Sequence, residues 1–126
     1  MKILSWNVAL TTCSLRLFSG ICKPRKLSSQ KIFELIKKIK PDILCFQEVQ
    51  SYAYNFLFSL LERDYPYSCY NPELGLLTIS KMYLQPEESI LFPKNTFTIC
   101  CGIRTGIIHT FVPEINKYIV NVHLPL

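Results

Sequence analysis

A buried strand that ends in a carboxylate sets the first limit on the fold of this chain. Residues 43–46, Ile-Leu-Cys-Phe, are continuously apolar, and Gln47 and Glu48 follow without a turn residue between. An apolar run of this length is typical of a strand that is buried on both faces. We therefore predict a core strand whose last residues present a polar group at the edge of a sheet.

The segments around this strand predict an α/β order. Residues 1–10 open with alternating apolar and polar side chains, as a half-buried strand does. A helix is predicted from about Ser29 to Lys40, capped by Ser28 or Ser29 and ended by Pro41. Its apolar residues share one face at helical spacing: Ile32, Leu35, Ile36 and Ile39. A second helix is predicted over about 51–63 on the same kind of spacing, from Tyr54, Leu57, Phe58 and Leu61.

Strands are predicted for most of the remaining chain. Residues 65–70 and 74–80 form two strand patterns joined by an Asn-Pro-Glu turn, and residues 104–112 and 117–126 form another pair. Residues 84–102 carry no clear pattern. The length of 126 residues fits one domain, so residues 1–126 are predicted to form a single unit of the α/β (α+β) class.

The charge balance is mildly positive. Lys and Arg number 14 against 9 Asp and Glu, a net charge of +5. The excess gathers between residues 23 and 40, in Lys23, Arg25, Lys26, Lys31, Lys37, Lys38 and Lys40. Such a cluster suits an anionic partner such as nucleic acid or a phospholipid head group. It is equally typical of a solvated helix face.

Cysteine usage indicates a reducing compartment. The six cysteines include no Cys-x-x-Cys pair, and Cys45 lies inside the apolar strand, where a free thiol acts as a small hydrophobe. We therefore predict an intracellular protein, cytoplasmic or nuclear. The apolar tract at residues 52–61 is too short for a transmembrane helix, which needs about 20 residues.

Three polar residues stand near the ends of predicted strands: Asn7, Glu48 and His123. Sites in α/β sheets form where strands end, because loops there leave polar groups over a rigid floor. Together the three side chains would make a metal-assisted hydrolytic site. Taken singly, Glu48 could simply mark a strand end, Asn7 a turn, and His123 an ordinary histidine. His109 is interpreted as structural.

The residue types suit a magnesium-dependent reaction. Mg²⁺ prefers oxygen ligands and often takes only one or two carboxylates, which Glu48 can supply. Asn7 can hold a phosphate oxygen or orient Glu48. His123 can donate a proton to a phosphate or to a leaving oxygen, since imidazole titrates near neutrality.

Four segments resemble the endonuclease/exonuclease/phosphatase superfamily of metal-dependent phosphoesterases. They are the opening strand Ile-Leu-Ser-Trp-Asn-Val, Lys-Pro-Asp-Ile-Leu-Cys-Phe-Gln-Glu-Val, Gly-Leu-Leu-Thr-Ile-Ser-Lys and Ile-Val-Asn-Val-His-Leu-Pro-Leu. They occur in the family's order and cover the chain from end to end. The resemblance implies that Glu48 binds Mg²⁺ (or Mn²⁺), with Asn7 at the metal or phosphate and His123 at the scissile phosphate. It implies a phosphodiester or phosphomonoester substrate, from nucleic acid or from a phospholipid or inositol phosphate.

The resemblance covers only part of the family's pattern. The family's fold is a four-layer α/β/β/α sandwich, and its second half carries Gly-Asp-x-Asn and Ser-Asp-His motifs that this chain lacks. No aspartate follows Asp64. Residues 1–126 are therefore expected to be the N-terminal half, one mixed sheet with two helices packed on one face and its inner face uncovered.

Such a fragment is expected to be weak or inactive alone, and to self-associate or to need a complementing C-terminal half. Two alternatives stay open. One is a catalytically dead relic that binds anions or nucleic acid, and the other is a small unrelated α/β interaction module.

Overall fold

Two helices and seven strands lie in the part of the chain that the computed structural model describes, residues 1–10, 26–93 and 104–124. In chain order they are β1 (Ile3–Leu10), α1 (Lys26–Ile39), β2 (Ile43–Val49), α2 (Ser51–Leu61), β3 (Tyr67–Asn71), β4 (Leu76–Ser80), β5 (Gln85–Leu91), β6 (Gly106–Val112) and β7 (Lys117–His123). A short 3-10 turn, Pro113–Ile115, joins the last two strands.

Four of these strands form a mixed sheet in the order β1-β2-β4-β3. β1 and β2 are parallel and are joined through α1, whereas β4 runs antiparallel to both of its neighbours. Both helices pack on one face of this sheet, as the sequence predicted. The cluster that they bury includes Ile36 and Leu57 from the helices and Leu44, Phe46 and Ile79 from the strands.

The prediction of α1 was right at its end and wrong at its start. The helix ends at Ile39, and Lys40 then adopts a left-handed φ of 51° before Pro41. Its N–H donates to the carbonyl of Ile36 at 2.8 Å, which closes the last turn. The helix begins at Lys26, so Ser28 and Ser29 lie within it and not before its first residue. The spacing of the buried apolar residues identifies the helix, but it does not define at which residue the first turn begins.

The second helix is confirmed as Ser51–Leu61, two residues shorter than predicted. It turns Ala53, Leu57 and Leu61 into the core, which is the face that the spacing indicated. Among the described residues, no helix is long and apolar enough to cross a membrane.

The strands after β4 form a second sheet, which corrects the prediction of a single sheet. β5, β6 and β7 pair antiparallel in that order, where β5 falls in the stretch that had no clear pattern. Val112 and Ile119 turn inward and pack against Ile43 and Cys45 of the first sheet. The expected uncovered inner face is therefore covered within this chain, and the α/β class with two helices is confirmed.

The outer face of the second sheet is the one left open. Strand alternation turns Tyr118 and Val120 away from the core, and their side chains are 63% and 49% exposed. Ile90, on β5, is 40% exposed. Apolar surface is therefore present, but on the outer face of the second sheet and not on the inner face of the first sheet, where the sequence had placed it.

Candidate functional site

Asn7 lies on the face of β1 that looks toward the second sheet. Leu4, Trp6 and Val8 pack on the helix side, so the alternating residues Ser5 and Asn7 point the other way. Asn7 is the register partner of Gln47 on β2. It is exposed at the end of the paired segment, where its amide can reach a neighbouring strand.

Glu48 owes its direction to a break in strand alternation. Leu44, Phe46 and Val49 all belong to the core under the helices, so the pattern slips by one residue between Phe46 and Val49. The slip occurs at Glu48, whose φ is 59°, and beside it the β1–β2 register shifts. In a regular strand the carboxylate would share the face of Phe46 and enter the apolar core. The left-handed turn points it at the site instead.

Two contacts hold the backbone around this slip. The N–H of Val49 donates to the carbonyl of Gly75 at 2.9 Å, and the Tyr70 hydroxyl donates to the carbonyl of Val49 at 2.9 Å. Desolvation by burial raises the pKa of Tyr70, so this hydroxyl keeps its proton at neutral pH. Gly75 has φ +61°, and a Cβ there would lie 3.3 Å from the Val49 carbonyl oxygen. The strand after Glu48 therefore needs a glycine opposite it.

His123 reaches the same place from the other sheet. Ile119 and Asn121 are buried on the inner face of β7, and His123 follows two residues later on that face. Its Nε2 lies 3.4 Å from Glu48 Oε1, and the two side chains are 13% and 16% exposed. Its Nδ1 is buried and has no hydrogen-bond partner within the described ranges.

The carboxylate of Glu48 is the centre of the arrangement. The Asn7 amide Nδ2 donates to Glu48 Oε1 at 2.8 Å, and the imidazole approaches the same oxygen. The three predicted residues, from three strands and two sheets, thus lie together at one edge of the sandwich. The roles assigned to them from the sequence stay predictions.

The donor set suits an oxygen-preferring cation. No group of three or more His, Cys, Asp and Glu side chains that could hold a metal is present among the residues described. One carboxylate and one amide oxygen are what Mg²⁺ can accept from a protein, since it keeps water and substrate oxygens for its other positions. The residues present therefore fit a magnesium-type ion.

Two buried amides below these residues were missed by the sequence reasoning. Gln47 precedes Glu48, and Asn121 stands two residues before His123. Their side chains are 7% and 1% exposed, and Gln47 Nε2 donates to Asn121 Oδ1 at 2.7 Å. The available signal was a polar residue inside each apolar run, next to a site residue.

The remaining sequence candidates lie elsewhere. His109 faces outward on β6, opposite Val120, away from Glu48. Of the basic cluster, Lys31, Lys37, Lys38 and Lys40 are exposed on or beside α1. Lys23 and Arg25 lie outside the described residues, as do Cys13, Cys22, Cys100 and Cys101.

Comparison with known proteins gives one family and a set of solved folds. The sequence profile of the Endonuclease/Exonuclease/phosphatase family matches residues 4–120. No curated protein sequence matches the chain. TDP2 from Caenorhabditis elegans has a similar fold, with a TM-score of 0.63 and 20% identity over 100% of this chain and 35% of that one.

Two further structures share the fold. The catalytic domain of human Nocturnin, solved with a bound sulfate anion, has a TM-score of 0.60 and 18% identity over 99% of this chain and 49% of that one. ANGEL2, a 2',3'-cyclic phosphatase solved with adenosine-2',3'-vanadate, has a TM-score of 0.62 and 19% identity over 98% of this chain and 41% of that one. The chain therefore spans less than half the length of each of these three structures.

Proposed function

We propose that this chain, which belongs to the endonuclease/exonuclease/phosphatase family, carries part of a divalent-metal-dependent site for hydrolysis of phosphate esters. One observation supports this above the others. Asn7, Glu48 and His123 are far apart in sequence, and their side chains meet at Glu48 Oε1, at 2.8 Å and 3.4 Å. Their types are those that phosphate chemistry with a hard cation uses.

Mg²⁺ or Mn²⁺ is the cofactor in this proposal. Glu48 would hold the ion through its carboxylate, and Asn7 would either share in binding the ion through its amide oxygen or hold a phosphate oxygen through an amide N–H. The ion, when bound, polarises a phosphoryl oxygen and screens the charge that develops there. Asn7 and His123 both contact Oε1 of the carboxylate, so Oε2 would be the oxygen that holds the cation.

The other two side chains act through hydrogen bonds. Asn7 orients the carboxylate by donating to it. His123 faces the site with Nε2, and in its protonated form it can donate to a phosphate oxygen or to the oxygen of the leaving group. The partly buried setting limits water around this donor and so strengthens the interaction.

The substrate class is a phosphodiester or phosphomonoester, from nucleic acid or from a phospholipid or inositol phosphate. Two of the similar folds hold tetrahedral oxyanions or their analogues, sulfate in Nocturnin and a nucleoside vanadate in ANGEL2. That likeness supports an anionic, phosphate-like ligand for this chain as well.

We assign residues 1–126 to the N-terminal half of the family's domain. The chain covers 35% to 49% of the three similar structures. Weak or no turnover is expected from it alone, because removing members of a catalytic unit commonly costs several orders of magnitude in rate.

The complementing partner in this proposal is a chain that supplies the remaining half. The outer face of the second sheet, with Tyr118 and Val120 exposed, gives it an apolar surface to cover. Self-association through the same face is the competing outcome. Sedimentation of the chain with Val120→Lys separates the two, because only self-association predicts that the wild type is oligomeric and the variant is monomeric.

Binding of Mn²⁺ tests the metal site without requiring turnover. Mn²⁺ titration followed by water-proton relaxation should show one site in the chain, abolished by Glu48→Gln. Asp42→Asn is the matched control, because Asp42 lies just before the other end of β2 and pairs there with Lys81 at 3.1 Å. Hydrolysis of bis(4-nitrophenyl) phosphate and 4-nitrophenyl phosphate with Mg²⁺ is measured on the same samples. Equal Mn²⁺ binding by the chain and its Glu48→Gln variant would contradict the assignment.

A second candidate function is a binding module without catalysis. The exposed lysines of α1 favour it, since Lys31, Lys37 and Lys38 leave this helix strongly positive, and the whole chain carries +5. The test is binding of single-stranded DNA in EDTA. This function predicts that binding persists in Glu48→Gln, is lost in a Lys37→Glu/Lys38→Glu variant and occurs without hydrolysis.

An intracellular, reducing compartment completes the proposal. Cys45 and Cys69 are free thiols in the described part of the chain, and burial raises the pKa of Cys45 to about 11. A buried neutral thiol is typical of a protein that forms no structural disulfides.

A further inference from the structure

A polar layer, buried at two of its three residues, lies directly beneath the site. It consists of Ser5, Gln47 and Asn121, which precede Asn7, Glu48 and His123 by two, one and two residues on the same three strands. Each sheet therefore contributes to two successive polar layers. Gln47 and Asn121 are enclosed, since their side chains are 7% and 1% exposed, whereas Ser5 lies at the exposed end of the layer.

Asn121 is bonded to the opposite sheet on both sides of its amide. Its Oδ1 accepts from Gln47 Nε2 at 2.7 Å, and its Nδ2 donates to the carbonyls of Phe46 and Leu77, each at 3.1 Å. Phe46 and Leu77 are the last register pair of β2 and β4. Asn121, from the second sheet, is therefore hydrogen-bonded to both β2 and β4 of the first sheet, at the point where the pairing of those strands ends.

Gln47 extends the same layer to β1. Its Nε2 also lies 3.3 Å from Ser5 Oγ and 3.3 Å from the carbonyl of Cys45. Among the described residues, the buried side-chain atoms without a partner are Thr110 Oγ1 and His123 Nδ1, so every amide atom of this layer that is buried is satisfied. Apolar side chains can repack when two sheets shift, whereas directional hydrogen bonds of this kind are satisfied over a narrower range of relative positions.

We propose that Gln47 and Asn121 are positioning residues, which fix the two sheets against each other so that His123 reaches Glu48. The shared strands make the link short. Gln47 adjoins the left-handed turn at Glu48, and Asn121 is the inward neighbour of His123 on β7. A shift between sheets of even one ångström would carry the imidazole, now at 3.4 Å, out of contact with the carboxylate.

The inference rests on the proposed function only in treating Asn7, Glu48 and His123 as catalytic. Its test therefore uses neither metal nor substrate. The chain contains two histidines, so labelled histidine gives two ring signals by NMR, and outward-facing His109 is an internal reference. We compare the NMR chemical shift of the His123 ring in the wild type and in Glu48→Gln at the same pH. The difference between the two shifts reports on the contact between His123 and Glu48, and so on contact between the two sheets at the site.

Gln47→Met and Asn121→Leu keep nearly the same shape but remove the amides. In each background we expect the effect of Glu48→Gln on the His123 signal to fall at least twofold, with the His109 signal unmoved. Ile119→Val is the matched control, because Ile119 is buried on the same face of β7 and lies outside the polar layer. It should lower stability and leave the effect of Glu48→Gln intact.

An unchanged effect in a folded Gln47→Met or Asn121→Leu variant would overturn the proposal. If neither variant folds, the wild type decides, through hydrogen exchange of the Gln47 side-chain amide. Slow exchange together with a nuclear Overhauser contact to Asn121 supports the locked layer, and free exchange refutes it. A wild type that binds Mn²⁺ no better than its Glu48→Gln variant would count against the proposed function and leave this test standing.

Discussion

The backbone strain at Glu48 can be measured by comparing the stability of Glu48→Gly with that of Glu48→Ala. Both variants remove the carboxylate and its 2.8 Å bond to Asn7, so their difference reports on the backbone alone. A residue with a Cβ at φ 59° carries a penalty of about 1–2 kcal/mol that glycine does not. Glycine in turn costs about 0.5–1 kcal/mol more conformational entropy on folding.

The net expectation is that Glu48→Gly is more stable than Glu48→Ala by about 0.5–1 kcal/mol. For a chain of 126 residues this corresponds to about 2–5 °C in Tm. Urea unfolding gives the free energy of unfolding of each variant, provided that the slopes with denaturant agree.

Val120 supplies the control pair, because it is exposed on β7 in ordinary strand conformation. There the order should reverse, with Val120→Gly less stable than Val120→Ala by about 0.5–1 kcal/mol. Should glycine be the less stable choice at position 48 as well, Glu48 would carry no strain, and the account of how its carboxylate leaves the core would be wrong.

Three other predictions test the surroundings of the site. Gly75→Ala should lower the free energy of unfolding by about 1–2 kcal/mol, because φ is +61° and the new Cβ would lie 3.3 Å from the Val49 carbonyl oxygen; an unchanged urea midpoint would contradict this. Desolvation raises the pKa of Cys45 from its ordinary 9.0 to about 11, so between those values the unfolded chain loses a proton that the folded chain keeps, and stability should fall as pH rises. Cys45→Ala should flatten that decline in pH-dependent unfolding, and an equally steep decline would refute the assignment. The backbone N–H of Lys2 and then Lys81 lower the pKa of Asp42 below 3.8, so the stability that this carboxylate adds is present above that pH and is lost as the pH falls further. Asp42→Asn should make the acid side of the stability profile less steep, which melting curves from pH 2 to 6 can check.

Local patterns were sufficient for the layer of helices over the first sheet. Ile32 and Ile36 recur at helical spacing and are buried, and Pro41 forbids helix and so brings α1 to its end. The hairpin of β3 and β4 was likewise evident from two strand patterns around an Asn-Pro-Glu turn. These features depend on residues within a few positions of one another, so the sequence shows them directly.

The site was predicted in its membership but not in its construction. Strand ends and the family resemblance singled out Asn7, Glu48 and His123, whereas strict alternation would have sent the Glu48 carboxylate into the core with Phe46. The left-handed φ at Glu48 depends on Gly75, 27 positions along the chain, whose carbonyl accepts the Val49 N–H. No local pattern records such a pairing.

Local patterns in the sequence show which residues are apolar, where the helices can run, and which three polar groups stand at strand ends. Two features become visible only in the folded chain: the last strands form a separate sheet over the first, and Gln47 and Asn121 join the two sheets at 2.7 Å. The reason is physical. Helical and strand periodicity are fixed by bonds between near neighbours, whereas the separation of Glu48 and His123 depends on how two independently paired sheets come to rest against each other.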